Sequence, residues 1–190
     1  GKNISLSLHG QETELDKNVY TKTNTDLKFT KSTHLVAGYD WNFAKNMRFK
    51  AEAYYKYMFN VPIEQQTSAF SMLNVGADFG IPDVDSLVNE GKGRNYGIEL
   101  TVEKFYSKGY YFLVTTSIFD SKYQGSDKVW RNTAFNGNYT FNALIGKEFK
   151  LGKKNSLSLD IKFVNAGGQR YTPYDVEQTM KQGEEVYKKE

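Results

Sequence analysis

The 190-residue chain is 39% hydrophobic and 25% charged, with no Cys, three Pro and a formal net charge of +3. The lack of Cys excludes a disulfide scaffold, a Cys-ligated zinc site and a thiol nucleophile, and the small net charge gives no argument for nucleic acid as a partner. No run of about 18 apolar residues is present, so the sequence predicts no transmembrane helix. Aromatic residues make up 15% of a chain whose mean hydropathy is −0.63. That combination is typical of all-β proteins, and of transmembrane β-barrels in particular.

Alternation of apolar and polar residues, the period of a β-strand, recurs along the chain. The cleanest run begins at Met47, where apolar residues at odd positions oppose polar residues at even positions as far as Phe59. Such runs predict about seven strands of roughly 8–13 residues, with no helical period inside them. In chain order they lie at 3–11, 34–43, 47–59, 95–103, 110–123, 138–149 and 156–164.

The connections between these runs alternate in length. Short turns are predicted at Ala44–Asn46, Ser107–Gly109 and Leu151–Lys154. Long loops are predicted at Gln11–Ser32, Asn60–Gly93, Gln124–Asn136 and Gly167–Glu190. Within the last segment, residues 180–190 are predicted to be a short helix or disordered. An antiparallel meander with short turns at one end and long loops at the other is the layout of an outer-membrane barrel.

Strands of a soluble β-sandwich also alternate apolar and polar residues, so alternation alone does not distinguish it from a barrel. The two differ in what the apolar face contacts: a second sheet in the sandwich and lipid in the barrel. Strands of about 9–11 residues match a tilted crossing of the hydrocarbon layer, whereas soluble strands average about 5–6. The apolar faces carry little charge apart from Lys147 near a strand end, and aromatic residues gather near both ends of the strands. These features favour a partial transmembrane β-barrel, with a soluble β-sandwich that serves as a carbohydrate-binding or adhesion module as the alternative. The face of the run 110–123 is ambiguous, and we favour Tyr110, Phe112 and Val114 on the lipid side.

The opposite face is strongly charged. In a barrel it would face the lumen, where opposite charges on neighbouring strands stabilise each other by roughly 0.2–1 kcal/mol per pair. These charges either form an ordinary solvated face or serve to dock an internal domain or line a substrate path. The residues predicted to face the lumen are Arg48, Lys50, Glu52, Lys56, Glu99 and Glu103.

Several motifs resemble landmarks of TonB-dependent outer-membrane receptors. The strongest is Val88-Asn89-Glu90-Gly91-Lys92-Gly93-Arg94-Asn95-Tyr96-Gly97-Ile98-Glu99-Leu100, which is similar to a family run that descends from an extracellular loop. Shorter pieces agree in order and together span nearly the whole chain: Gly38-Tyr39-Asp40-Trp41, Glu52-Ala53-Tyr54-Tyr55, Asn60-Val61-Pro62, Ser121-Lys122-Tyr123, Arg131-Asn132-Thr133, Phe135-Asn136, Gly146-Lys147-Glu148-Phe149 and Gly167-Gly168-Gln169-Arg170-Tyr171.

The resemblance implies a place in the outer membrane of a Gram-negative cell and a role in nutrient import. Family members are 22-stranded barrels with an N-terminal plug domain, and they import iron chelates, cobalamin or glycans with energy from the TonB complex. Residues 1–190 show no plug, no TonB-contacting motif and no closing aromatic strand, so we expect part of the C-terminal half of the barrel. The expected partners are the lipid bilayer and, in the whole receptor, a plug domain and TonB. The short turns would be periplasmic and the long loops extracellular.

The sequence offers no catalytic motif. The chain has two histidines, His9 and His34, both on polar faces and without metal-ligand spacing, so we expect no enzyme activity, no cofactor and no metal. A barrel enzyme would need a Ser, an acid and one of these histidines to converge in space. Ligand contacts are expected instead in the extracellular loops, where aromatic side chains lie near polar groups that suit sugars and chelates. The candidates are Tyr123, Trp130, Arg131, Arg170, Tyr171 and Tyr174.

Overall fold

The computed structural model of the chain describes residues 13–16, 19–75, 84, 86–170, 173 and 175–183, so the strand predicted at 3–11 lies outside the described residues. Strands dominate the described residues. They are β1 (Thr13–Asp16), β2 (Val19–Thr21), β3 (Lys31–Ala44), β4 (Met47–Glu64), β5 (Leu87–Ser107), β6 (Tyr110–Gln124), β7 (Trp130–Asn132), β8 (Tyr139–Leu151) and β9 (Asn155–Ala166). A 3-10 turn covers Met72–Asn74, and α1 covers Val176–Gln182.

Seven strands form one antiparallel sheet in the order β3-β4-β5-β6-β8-β9, with β7 also paired to β6, while β1 and β2 form a separate hairpin. Each strand therefore pairs with its neighbour along the chain, apart from the short β7, and the sheet is not closed. This confirms the predicted antiparallel meander. The backbone edges of β3 and β9 have no partner strand among the described residues.

Register across the sheet brings the apolar sides of six strands onto one surface. One row of directly paired residues takes one member from each strand: Trp41, Phe49, Val102, Val114, Ala143 and Phe163. We call this side the apolar face. Val114 pairs with both Val102 and Ala143, which puts the preferred side of β6 on the apolar face.

No second layer covers the apolar face among the described residues. Large side chains on it are exposed, including Ile161 at 62% and Leu100 at 39%. A soluble protein rarely exposes an apolar patch larger than a few hundred Å². Together with the single main sheet, this exposure argues against the sandwich alternative, in which two sheets bury their apolar faces against each other.

Glycines on the other side of the sheet, the polar face, make room for tyrosines. Tyr111 pairs with Gly146, which pairs with Asp160 on the next strand, and the Tyr111 hydroxyl donates a hydrogen bond to Asp160 Oδ1 at 2.8 Å. A Cβ atom on Gly146 would lie 2.2 Å from Tyr111 Cε1. A side chain at that position would therefore displace the ring that links β6 to β9.

The three short turns agree with the predicted ones. The β5–β6 hairpin turns through Lys108 and Gly109, which both have positive φ (53° and 79°). A two-residue hairpin loop needs this conformation to match the twist of its strands. Beside it, the Lys104 ammonium lies on the apolar face but reaches Ser107 Oγ at 2.8 Å and the Tyr110 carbonyl at 3.1 Å. Lys104 is thus a cation on the apolar face near the short turn, which the sequence reading missed, and its charge is satisfied at the turn.

The predicted long loops are shorter in the structure. The loop predicted at Asn60–Gly93 is wrong at both ends, because β4 continues to Glu64 and β5 begins at Leu87. Pro62, Gly91 and Gly93 suggested a loop, but register shifts between Met58 and Ile63 accommodate the proline inside β4. The predicted loops at Gln11–Ser32 and Gln124–Asn136 contain the β1–β2 hairpin and β7. Helix α1 (Val176–Gln182) begins before the segment 180–190, predicted to be helical or disordered, and overlaps its first three residues; residues 184–190 lie outside the described residues.

The buried hydrophobic residues lie at the long-loop end of the sheet rather than along its middle. Val61 and Ile63 are completely buried, and Met58 and Tyr123 are nearly so. Gly93 lets the segment after β4 pack closely, because a Cβ atom there would lie 2.3 Å from Leu73 Cδ1. The small core therefore holds loop residues against the ends of β4, β5 and β6.

Candidate lumenal surface and long-loop site

The polar face carries a ladder of charged side chains near the short-turn end. Register pairs Arg48 with Glu103 on the neighbouring strand, and Arg48 Nη1 lies 3.9 Å from Glu103 Oε2. Arg48 also forms a bidentate ion pair with Asp40, a lumenal candidate that the sequence reading did not include. Lys50 Nζ lies 2.5 Å from Glu52 Oε2. The cations on this part of the face are therefore matched by carboxylates.

Farther along the same face, Lys56 pairs in register with His34 and Asn95. His34 packs edge-on to Tyr54, with ring centroids 6.2 Å apart. The predicted Glu99 lies directly opposite Glu52. Because like charges opposite one another are destabilising, this pair depends on Lys50 and on solvent for screening. His9, the other histidine, lies outside the described residues.

At the long-loop end, the segment 65–75 is tied to the segment 125–138 by hydrogen bonds. Ser68 N donates to Ser126 Oγ at 2.8 Å, and the Ser126 hydroxyl donates to the Gln66 carbonyl at 2.5 Å. Ala134 N donates to Asn74 Oδ1 at 2.7 Å. Gly125 allows this approach, since a Cβ atom there would lie 2.6 Å from the Ser68 carbonyl oxygen. Together these two segments form one structure, which we call the loop cap.

Three predicted ligand residues lie within or beside the loop cap. The Trp130 ring is covered by the Arg94 guanidinium, 4.5 Å from the ring centroid. Arg131 Nη1 lies 2.6 Å from Asp127 Oδ2, and both side chains are 17% exposed. Tyr123 is only 6% exposed, so it belongs to the buried core and does not present its ring to solvent. Their role in binding a ligand stays a prediction.

Arg170 joins a network of asparagines that the sequence reading missed. Its Nε atom donates to the Asn136 carbonyl at 3.2 Å, and its Nη2 atom donates to Asn138 Oδ1 at 2.5 Å. Asn136 is completely buried and donates to Asp120 Oδ1 at 2.8 Å and to Asn132 Oδ1 at 2.9 Å. The signal was present as three asparagines between 132 and 138. The remaining candidates, Tyr171 and Tyr174, lie outside the described residues.

The described residues contain neither a candidate metal site nor a candidate transmembrane helix. No group of three or more His, Asp or Glu side chains in this part of the chain is arranged to hold a metal ion. No helix in the same residues is long and apolar enough to cross a membrane.

An antiparallel meander of long strands, apolar on one face and charged on the other, is the wall of an outer-membrane β-barrel. The comparison with protein families agrees: the model of the TonB dependent receptor-like, beta-barrel family matches residues 8–184. The chain belongs to this family, whose members are outer-membrane receptors that serve in transport. No curated protein and no solved structure matches the chain.

Proposed function

We propose that this chain forms part of the barrel wall of a receptor that imports a scarce nutrient, such as an iron chelate, cobalamin or a glycan, with energy delivered through TonB. The observation that carries the proposal is the two-faced sheet. Its apolar face is exposed across six strands, and its polar face carries the paired charges around Arg48. Lipid on one side and water on the other satisfy both faces.

The open edges of the sheet support a larger barrel. A strand edge with unpaired N–H and C=O groups is not tolerated in hydrocarbon, so a membrane wall has to close. The long edges of β3 and β9 are unpaired in the described residues. We therefore propose that residues 1–190 are one part of a barrel domain completed by further strands, with a plug domain against the polar face.

The orientation follows the usual asymmetry of such barrels, in which turns are short on the periplasmic side and loops are long outside. The turns at 45–46, 108–109 and 152–154 would be periplasmic, and the loop cap would be extracellular. The loop cap would then meet the nutrient first. Trp130, Arg131 and Arg170 are the described candidates there, with Tyr171 and Tyr174 completing the proposed set.

Labelling of adjacent residues tests the wall. Because the chain contains no Cys, Glu99→Cys and Leu100→Cys can each be introduced into the receptor in its outer membrane. We expect a water-soluble maleimide to label the Glu99→Cys receptor and to spare the Leu100→Cys receptor until it is unfolded. Equal labelling of the two folded variants would contradict a wall between lipid and lumen.

Uptake tests the transport role. Cells that express the receptor are compared with cells that lack it, using a radiolabelled iron chelate, cobalamin or oligosaccharide in turn. We expect accumulation of one of these classes only when both the receptor and TonB are present, and its loss with a protonophore. Trp130→Ala should weaken uptake, whereas Trp41→Ala, at the short-turn end of the apolar face, should leave the affinity for the nutrient unchanged. Accumulation that is independent of TonB would overturn the proposal.

A further inference from the structure

A cluster of cations lies on the apolar side of the sheet at its long-loop end. Arg94 and Lys122 are directly opposite each other on β5 and β6, and Lys92 follows Arg94 on the same side of β5. Lys92 and Arg94 lie on the same side of β5 as Ile98, Leu100 and Val102 farther down that strand. Lys122 lies on the same side of the sheet, because it pairs with Arg94. We call Lys92, Arg94 and Lys122 the basic rim.

The basic rim lies just above the apolar surface. Arg94 is two residues beyond Tyr96, so it lies roughly 5 Å farther toward the long-loop end in a strand tilted by about 40°. Tyr96 and Tyr57 border the apolar surface here, and Tyr57 is paired with Arg94. Tyrosines at this position meet the boundary between hydrocarbon and headgroups. The cations beyond them are therefore at headgroup level.

Charges at the basic rim are less well matched than those on the polar face. Arg94 lies over the Trp130 ring and, like Lys92, has no ion-pair partner among the described residues. Lys122 lies 3.2 Å from Asp120, but Asp120 also accepts hydrogen bonds from Tyr96 and Asn136. Nearby, Lys128 pairs with Glu90 at 3.4 Å. The four cations Lys92, Arg94, Lys122 and Lys128 therefore share two carboxylates, Asp120 and Glu90.

Direct opposition of Arg94 and Lys122 is unfavourable without an anion, because like charges facing each other across paired strands repel. Cations at headgroup level meet the phosphates of anionic lipids. We propose that the basic rim binds the phosphate of a lipid headgroup in the outer leaflet. The proposal rests on the proposed function, because it requires the apolar face to touch lipid and the long loops to be outside.

The test measures lipid held by the receptor purified from outer membranes in mild detergent. The receptor is mixed with phosphorylated lipid A or with the same lipid A stripped of its phosphates, and bound lipid per receptor is counted by mass spectrometry. We expect retention of the phosphorylated form only, and a fall of roughly fivefold in its affinity for each cation removed in Lys92→Gln, Arg94→Gln and Lys122→Gln. Lys56→Gln on the polar face, at a similar height, is the matched control and should bind normally.

Several outcomes would overturn the proposal. Equal retention of the dephosphorylated lipid, an equal loss in Lys56→Gln, or full displacement by millimolar inorganic phosphate would each do so. If the variant that combines Lys92→Gln, Arg94→Gln and Lys122→Gln fails to fold, two other measurements decide. The charge-preserving double variant Arg94→Lys, Lys122→Arg must still bind the phosphorylated lipid, and binding by the wild-type receptor must weaken as salt rises from about 0.05 to 0.5 M. Failure of either measurement also overturns the proposal. The Glu99→Cys and Leu100→Cys labelling distinguishes a wrong rim from a wrong wall: if that labelling holds and lipid retention fails, only the rim is wrong.

Discussion

Replacing Gly146 tests whether the tyrosine lying across it contributes to the stability of the sheet. In Gly146→Ala the new Cβ atom would lie 2.2 Å from Tyr111 Cε1 and 2.3 Å from Asp160 Oδ1. The ring can swing away, so the main cost is the loss of the 2.8 Å hydrogen bond to a carboxylate. Such a bond contributes about 1.5–3 kcal/mol when buried. Because this one is exposed, and alanine lowers the entropy of the unfolded chain, we expect a net loss of only about 0.5–1 kcal/mol.

The assay is urea unfolding of the receptor in phosphatidylcholine vesicles, followed by the gel mobility shift between folded and unfolded barrel. The Gly146→Ala change should cost much less in a Tyr111→Ala background, with a coupling of at least about 0.5 kcal/mol. Gly168→Ala is the control, since a Cβ atom there meets nothing within 4 Å. Additive losses in the double variant, or an equal loss in the control, would refute the role assigned to the tyrosine.

Three further changes probe the loop cap and the short turns. Gly93→Ala puts a Cβ atom 2.3 Å from Leu73 Cδ1, so limited proteolysis should cut segment 65–75 several-fold faster, and an unchanged rate would contradict its close packing. Asn136→Ala removes three side-chain hydrogen bonds from a fully buried position and should lower the free energy of unfolding by about 1–3 kcal/mol; a loss below about 0.5 kcal/mol in the vesicle assay would argue against it. Lys104→Met removes the ammonium contacts to Ser107 and Tyr110, so we expect slower folding into vesicles, and an unaltered rate would show that this turn forms without them.

The strand positions and their faces could be read from the sequence because the side-chain period of a strand is two. Six of the seven predicted strands appear in the described residues, and the apolar row from Trp41 to Phe163 follows the predicted parity. Family membership also followed from motifs that are local in sequence, such as the run from Val88 to Leu100. These features depend on neighbouring residues, which a sequence shows directly.

Strand ends and the packing at the long-loop end were not readable in the same way. Gly91 and Gly93 have the composition of a loop, yet they lie inside β5 because Ile63 and Leu73 pack against them. Tyr123 appeared to be a surface aromatic and is buried for the same reason. A glycine's role depends on which atoms approach it, and those atoms come from residues about 20 to 30 positions away.

Alternation alone therefore determined that this chain forms a two-faced antiparallel sheet with one side suited to lipid. Only the tertiary structure decided which residues of neighbouring strands face each other, and hence that Arg48 is matched by Asp40 and Glu103 while Arg94 faces Lys122. The physical reason is register: a shift of two residues keeps the apolar side of each strand on the same face, but it changes every cross-strand pair.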